Sequence, residues 1–102
     1  MNITITARKF KAHDTLKEFI TAEVESLSRF NDDILDADII LSYINSNTSV
    51  KSAEIIIKVP KQKLTATESS DDFKKSVSSA VEKLASQLKK LKSKKTAVRI
   101  KQ

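Results

Sequence analysis

A chain of 102 residues with a formal charge of +6 has room for one domain and a modest core. It holds no cysteine and no glycine, which excludes disulfides, thiolate metal sites, a cysteine nucleophile, phosphate-cradling glycine loops and the glycine-flanked nucleophile elbow. The charge is unevenly spread: residues 1–73 carry 9 basic and 12 acidic side chains, whereas residues 74–102 carry 10 basic ones and only Glu82.

The chain opens with "MNITITARKF", in which Ile3, Ile5 and Ala7 alternate with Thr4, Thr6 and Arg8. That alternation predicts a half-buried strand over Asn2 to Arg8. A signal peptide needs a basic segment followed by an apolar run, and this start has neither. No apolar stretch approaches the roughly 20 residues of a membrane span, so a cytoplasmic protein without a membrane partner is expected. After a loop through Phe10 and His13, Thr15 and Glu18 have the spacing of a capping box. Leu16, Phe19, Ile20, Val24, Leu27 and Phe30 then recur at helical spacing, as far as a turn at Asn31 to Asp33.

Three strands follow, over roughly Ile34 to Asn45, Val50 to Val59 and Gln62 to Thr67. A turn at Asn45 to Ser49 joins the first two, and Pro60 stops or bends the second. "SSDDF" opens the last and longest helix, with Ser70 or a neighbour as cap and Asp71 and Asp72 beside its positive dipole end. Its apolar stripe is Phe73, Val77, Ala80, Val81, Leu84, Leu88 and Leu91. A domain over 1–95 is expected, followed by a short basic tail over 96–102 that is extended or disordered. The predicted fold is a single α+β domain, βαβββα. Its four-stranded sheet ends in an antiparallel meander and carries both amphipathic helices side by side on one face.

No residue pattern calls for catalysis. His13 sits next to Asp14 with no nucleophile nearby and reads as an ordinary helix-start residue. Asp32, Asp33, Asp36 and Asp38 lack the glycine turn and distal glutamate of a calcium loop, and read as turn and strand-end residues. Neither a metal nor a cofactor nor a small-molecule substrate is expected. Phe19, Phe30 and Phe73 fall on helix stripes, which leaves Phe10 and Tyr43 as two scattered rings rather than a base-stacking platform.

The final helix is different. In "EKLASQLKKLKSKK" the lysines at 83, 89, 90, 92, 94 and 95 stand against one carboxylate, Glu82. Cations complement the negative end of a helix, but the effect fades within a turn. It accounts for Lys92, Lys94 and Lys95 and not for Lys83, Lys89 and Lys90. Like charges this close repel one another, and no acidic i,i+4 partners are interspersed. Such a cluster suits a polyanion that neutralises it. Nucleic acid is the foremost candidate, because the apolar stripe matches a core-packing stripe rather than a lipid-facing one.

The same segment resembles the bacterial ribosome hibernation promoting factors and ribosome-associated inhibitors, also known as sigma-factor modulation proteins. In that family an acidic cap opens a long helix whose core reads Asp/Glu-Lys-Leu-x-Arg-Gln followed by spaced lysines. Glu82, Lys83, Leu84 and Gln87 with the lysines after them are similar to it. The first strand, the basic loop and "DTLKEFI" look similar to the family's start, so the likeness spans nearly the whole chain. Ser86 stands where the family usually has arginine, Glu23 where lysine is common, and Ala7 where glycine is common.

The resemblance implies a βαβββα fold like that of double-stranded-RNA-binding domains. It further implies a non-enzymatic factor, monomeric off the ribosome, whose partners are the small ribosomal subunit and its rRNA. There it would occupy the messenger and transfer RNA cleft and inhibit translation in stationary phase or stress. The contact residues it implies are Arg8, Lys9 and Lys11, with Lys83, Lys89, Lys90, Lys92, Lys94 and Lys95. The rival readings are a general double-stranded nucleic-acid binder, a basic-helix adaptor for an acidic protein and, least supported, an enzyme.

Overall fold

The computed structural model describes the backbone of residues 1–45 and 50–101, and the side chains of residues 1–44 and 50–91. The elements are β1 (Asn2–Ala7), α1 (Asp14–Glu25), β2 (Asp36–Asn45), β3 (Val50–Val59), β4 (Gln62–Ser70) and α2 (Phe73–Lys101), with one 3-10 turn at Ser26–Arg29. The sheet order is β1-β2-β3-β4. β1 lies parallel to β2 across the α1 connection, and the last three strands form the antiparallel meander.

Register explains why both helices take the same face. Ile5, Ile39, Ile55 and Ala66 lie in one row across the sheet, and Ile3, Ala37, Ile57 and Leu64 form the next. Side chains alternate faces with period two, so these rows form a continuous apolar floor. Ile20, Val24, Leu27, Phe73, Val77, Ala80, Leu84 and Leu88 close over it, and Ile39, Leu41, Ile55 and Ile57 lose all contact with water. Burying a side chain of this size contributes about 1.5–3 kcal/mol, so these rows fix the layer arrangement.

Local chemistry sets the element ends, and in several places it differs from the sequence expectation. Asp72 caps α2: its Oδ1 accepts from the Lys74 N–H at 3.0 Å, and its carbonyl takes the first helical bond from Ser76 N. Ser70 stands two residues before this cap, where its Oγ accepts from the Asp72 N–H. The capping box at Thr15 and Glu18 does not form. α1 begins two residues earlier, with His13 at the cap position and no side-chain cap bond, and Asp14 complements the dipole from the first turn.

The turn at Asn31 is an Asx turn, in which Asn31 Oδ1 accepts from the Asp33 N–H at 2.7 Å. β4 continues three residues beyond Thr67, to Ser70, paired with β3 throughout. α2 also runs on past Lys95, where the sequence reading placed its end, through Lys101. No proline, glycine or capping asparagine occurs there to stop it. Turn residues 46–49 and Gln102 lie outside the described residues.

Candidate nucleic-acid interface

The apolar stripe of α2 faces the sheet, so the lysines among its described side chains line the remaining surface. Lys83, Lys89 and Lys90 are all exposed, as are Lys74 and Lys75. The helix itself separates them. Lys83 stands on the β4 side, where it forms an ion pair with Glu68. Lys90, seven residues on, returns near the same side two turns later. Lys74 and Lys89 lean the other way, each ammonium lying over an aromatic ring of the α1 segment: Lys74 5.6 Å from Phe19 and Lys89 5.1 Å from Phe30. Lys92, Lys94 and Lys95 belong to α2, and their side chains lie outside the described residues.

Two inter-element contacts qualify the picture of an unpaired lysine run. Along its own helix Lys83 has no carboxylate at i±4. The partner is instead on β4. Glu68 continues the helix-facing alternation of Leu64 and Ala66 and meets Lys83 from the sheet. The second contact involves Glu23, which accepts a hydrogen bond from Ser78 Oγ at 2.7 Å and joins α1 to α2. A carboxylate where the resemblance led us to expect lysine is therefore part of the helix–helix seam. Gln87 Nε2 donates to the Thr65 carbonyl at 3.2 Å and engages the outer edge of β4. Ser86, where arginine was expected, is exposed on α2.

Arg8, Lys9 and Lys11 are exposed in the β1–α1 loop, at the other end of the molecule's basic surface. The Arg8 N–H donates to the Leu41 carbonyl, and Lys9 turns the chain in the left-handed region at φ 63°. Phe10, half-buried, then stacks on Phe73 at 5.1 Å, which anchors the loop beside the N-terminus of α2. At 1.5 Å rise per residue, Lys83 is about 15 Å and Lys90 about 25 Å farther along that helix. The described residues of the predicted set are thus spread along the length of α2 rather than gathered in one cluster.

The aromatic reading needs correction. Phe10 and Tyr43 are not scattered: their centroids are 5.2 Å apart, and Tyr43 also meets Phe73 at 5.4 Å, edge to face in both cases. Tyr43 remains 45% exposed, and Lys51 from β3 lies 5.7 Å from its ring. Among the described residues no group of His, Cys, Asp and Glu is arranged to hold a metal ion, and Asp36 instead accepts from Asn2 Nδ2. No helix among the described residues is long and apolar enough to cross a membrane.

These features define a single α+β domain that turns the lysine-rich side of a long helix to solvent. Residues 3–96 match the model of the family described as sigma 54 modulation protein / S30EA ribosomal protein, and the chain belongs to that family. Among solved structures, it is similar to a ribosomal subunit interface protein from Coxiella burnetii. The identity is 28% and the TM-score 0.82, over 91% of this chain and 99% of that one. It is also similar to the N-terminal domain of Thermus thermophilus Protein Y, with 25% identity and a TM-score of 0.79, over 89% and 99% of the two chains. No curated protein sequence matches it. The family and these neighbours make it a ribosome-associated protein of the modulation and hibernation type.

Proposed function

We propose that this protein acts without turnover, binding the small ribosomal subunit through its rRNA and occupying the cleft where messenger and transfer RNA pass. Translation is blocked there by occupancy and charge, in stress or stationary phase. The observation that carries the reading is the use of α2. Its apolar stripe is consumed by the sheet, so Lys83, Lys89 and Lys90 are exposed, and the adjacent Lys89 and Lys90, in no ion pair among the described contacts, repel one another until an anion discharges them. The family and the Coxiella neighbour's description as a ribosomal subunit interface protein support the same partner. The contact set is Arg8, Lys9 and Lys11 with Lys83, Lys89, Lys90, Lys92, Lys94 and Lys95. Lys83 joins only by exchanging Glu68 for a phosphate.

The test is co-sedimentation with small subunits. Lys89→Glu combined with Lys90→Glu is the informative variant, because neither lysine is in an ion pair with a carboxylate among the described contacts and both are exposed. Binding is expected to be lost at moderate salt while the thermal transition stays in place. In the parent protein about six phosphate contacts give a log–log salt slope of about −5. Unchanged co-sedimentation of the variant would falsify the charged-helix mechanism, and a partner retained after nuclease digestion would point to an acidic protein instead.

A further inference from the structure

Besides the lysine flank of α2, the fold builds a second feature at the opposite end of the same surface. β2 and β3 pair Tyr43 directly with Lys51. On the other side of β2, β1 ends level with Leu41, so the next residues, Arg8 and Lys9, emerge beside the Tyr43 end of the strand. Phe10 and Phe73, stacked within 10° of parallel, hold the tyrosine ring nearly perpendicular to themselves. A solvated tyrosine has two free torsions, and this one is braced by two further rings while staying nearly half exposed.

Its surroundings are cationic. Arg8, Lys9 and Lys11 are exposed in the loop that carries Phe10, and Lys74, exposed, follows Phe73 on α2. The nearby carboxylates are already engaged: Asp71 with Lys75 at 3.4 Å, and Asp72 with the α2 N-terminus. Lys51 donates to the Asp71 carbonyl at 3.0 Å, and its ammonium lies over the Tyr43 ring, 5.7 Å from the centroid.

We propose that Tyr43, braced by Phe10 and Phe73, is a stacking site for an unpaired nucleobase of single-stranded RNA, with Arg8, Lys9 and Lys51 holding the flanking phosphates. A braced, 45% exposed ring with the Lys51 ammonium over it has the chemistry that single-strand recognition uses: the ammonium moves from the ring to a phosphate as a base takes its place, since every base has a π-face and every nucleotide a phosphate. Stacking tolerates any sequence but requires a base that is out of a helix, so the site prefers a single strand to a duplex. The inference rests on the RNA-binding reading of the protein and adds to it the kind of RNA held at this end.

The chain has one tyrosine and no tryptophan, so its intrinsic fluorescence reports on Tyr43 alone. The experiment titrates the full chain with a short oligoadenylate and with an RNA duplex of equal length. It follows tyrosine emission corrected for RNA absorbance, together with the Tyr43 ring-proton shifts. The oligoadenylate is expected to quench the emission and move the ring protons upfield, and the duplex to do neither. Tyr43→Ala weakens oligoadenylate binding by about five- to a hundredfold, with the salt slope unchanged. Tyr43→Phe retains binding. Tyr43→Leu keeps the apolar packing and loses binding, which separates stacking from folding.

A silent ring, equal quenching by the duplex, or a Tyr43→Leu variant that binds as the parent does would overturn the inference. So would a nuclease-resistant protein partner lost in Tyr43→Ala with RNA binding intact. Ribosome co-sedimentation of the parent protein, measured in parallel, keeps the two readings distinguishable: if it persists while the ring is silent, only the stacking site fails.

Discussion

Lys83 on α2 and Glu68 on β4 form an ion pair that joins the middle of the basic helix to the edge strand of the sheet. The lysine end is well exposed and the glutamate end less so, and such a pair contributes no more than about 1 kcal/mol of stability. At the proposed RNA interface its larger effect is on binding, because Glu68 neutralises one of the cations offered to phosphate. Glu68→Gln is therefore expected to leave the thermal transition nearly in place. It should also tighten binding to rRNA and steepen the log–log salt slope by about 1. Filter binding across a salt series checks both, and an unchanged slope would show that Glu68 does not hold Lys83 back from the RNA.

The Glu23–Ser78 hydrogen bond makes a different prediction, one of stability. Both residues are half-buried between the helices. Ser78→Ala removes the donor and leaves the carboxylate poorly solvated, at a cost of about 1–2 kcal/mol. Glu23→Gln keeps an acceptor at the same place and should cost far less. Urea denaturation of the two variants gives the order, and equal losses would mean that the bond does not hold the seam.

Most of the fold was legible because its signals are local. The alternation of Ile3 with Ile5, and of Ile55 with Ile57, is a period-two pattern, and β3 runs over the span it predicts. The contacts that escaped the sequence reading are those that join distant segments. Phe10 and Tyr43 looked isolated because nothing local reveals that the parallel β1–β2 pairing sets them side by side. Glu68 was missed for a subtler reason. With β4 expected to end at Thr67, the next helix-facing position fell outside the strand, so no acidic partner for Lys83 came into view. The end of α2 differs because residues 96–102 carry no turn or cap signal and so suggest an extended or disordered tail, whereas the absence of a helix-breaking residue there lets α2 run on to Lys101.

The division of α2 into a core stripe and a solvent flank can be measured directly. Leu84 is fully buried and Lys90 exposed, less than two turns apart. Leu84→Ala is expected to cost about 2–5 kcal/mol, since the surrounding sheet and helix residues collapse only partly into the gap. Lys90→Ala should stay within about 0.5 kcal/mol. Thermal melts read the contrast, and comparable losses in both variants would contradict the packing assigned to this helix.

The β3–β4 turn shows what the absence of glycine costs. Val59 pairs with Gln62, which leaves Pro60 and Lys61 as the two corner residues. Proline presets the first corner, but Lys61 must adopt φ 73°, where a Cβ is crowded by the backbone. Lys61→Gly removes that crowding at the expense of a more flexible unfolded chain, and should stabilise the protein by up to about 1 kcal/mol. For a domain of this size each kcal/mol raises Tm by about 4–8 °C. Lys61→Val puts a β-branched side chain in the same region and should lower Tm, because its second branch has no room at positive φ. Calorimetry of the three proteins should give the order glycine, lysine, valine from highest Tm to lowest. A valine variant as stable as the parent would mean that the turn relaxes to a negative φ in solution.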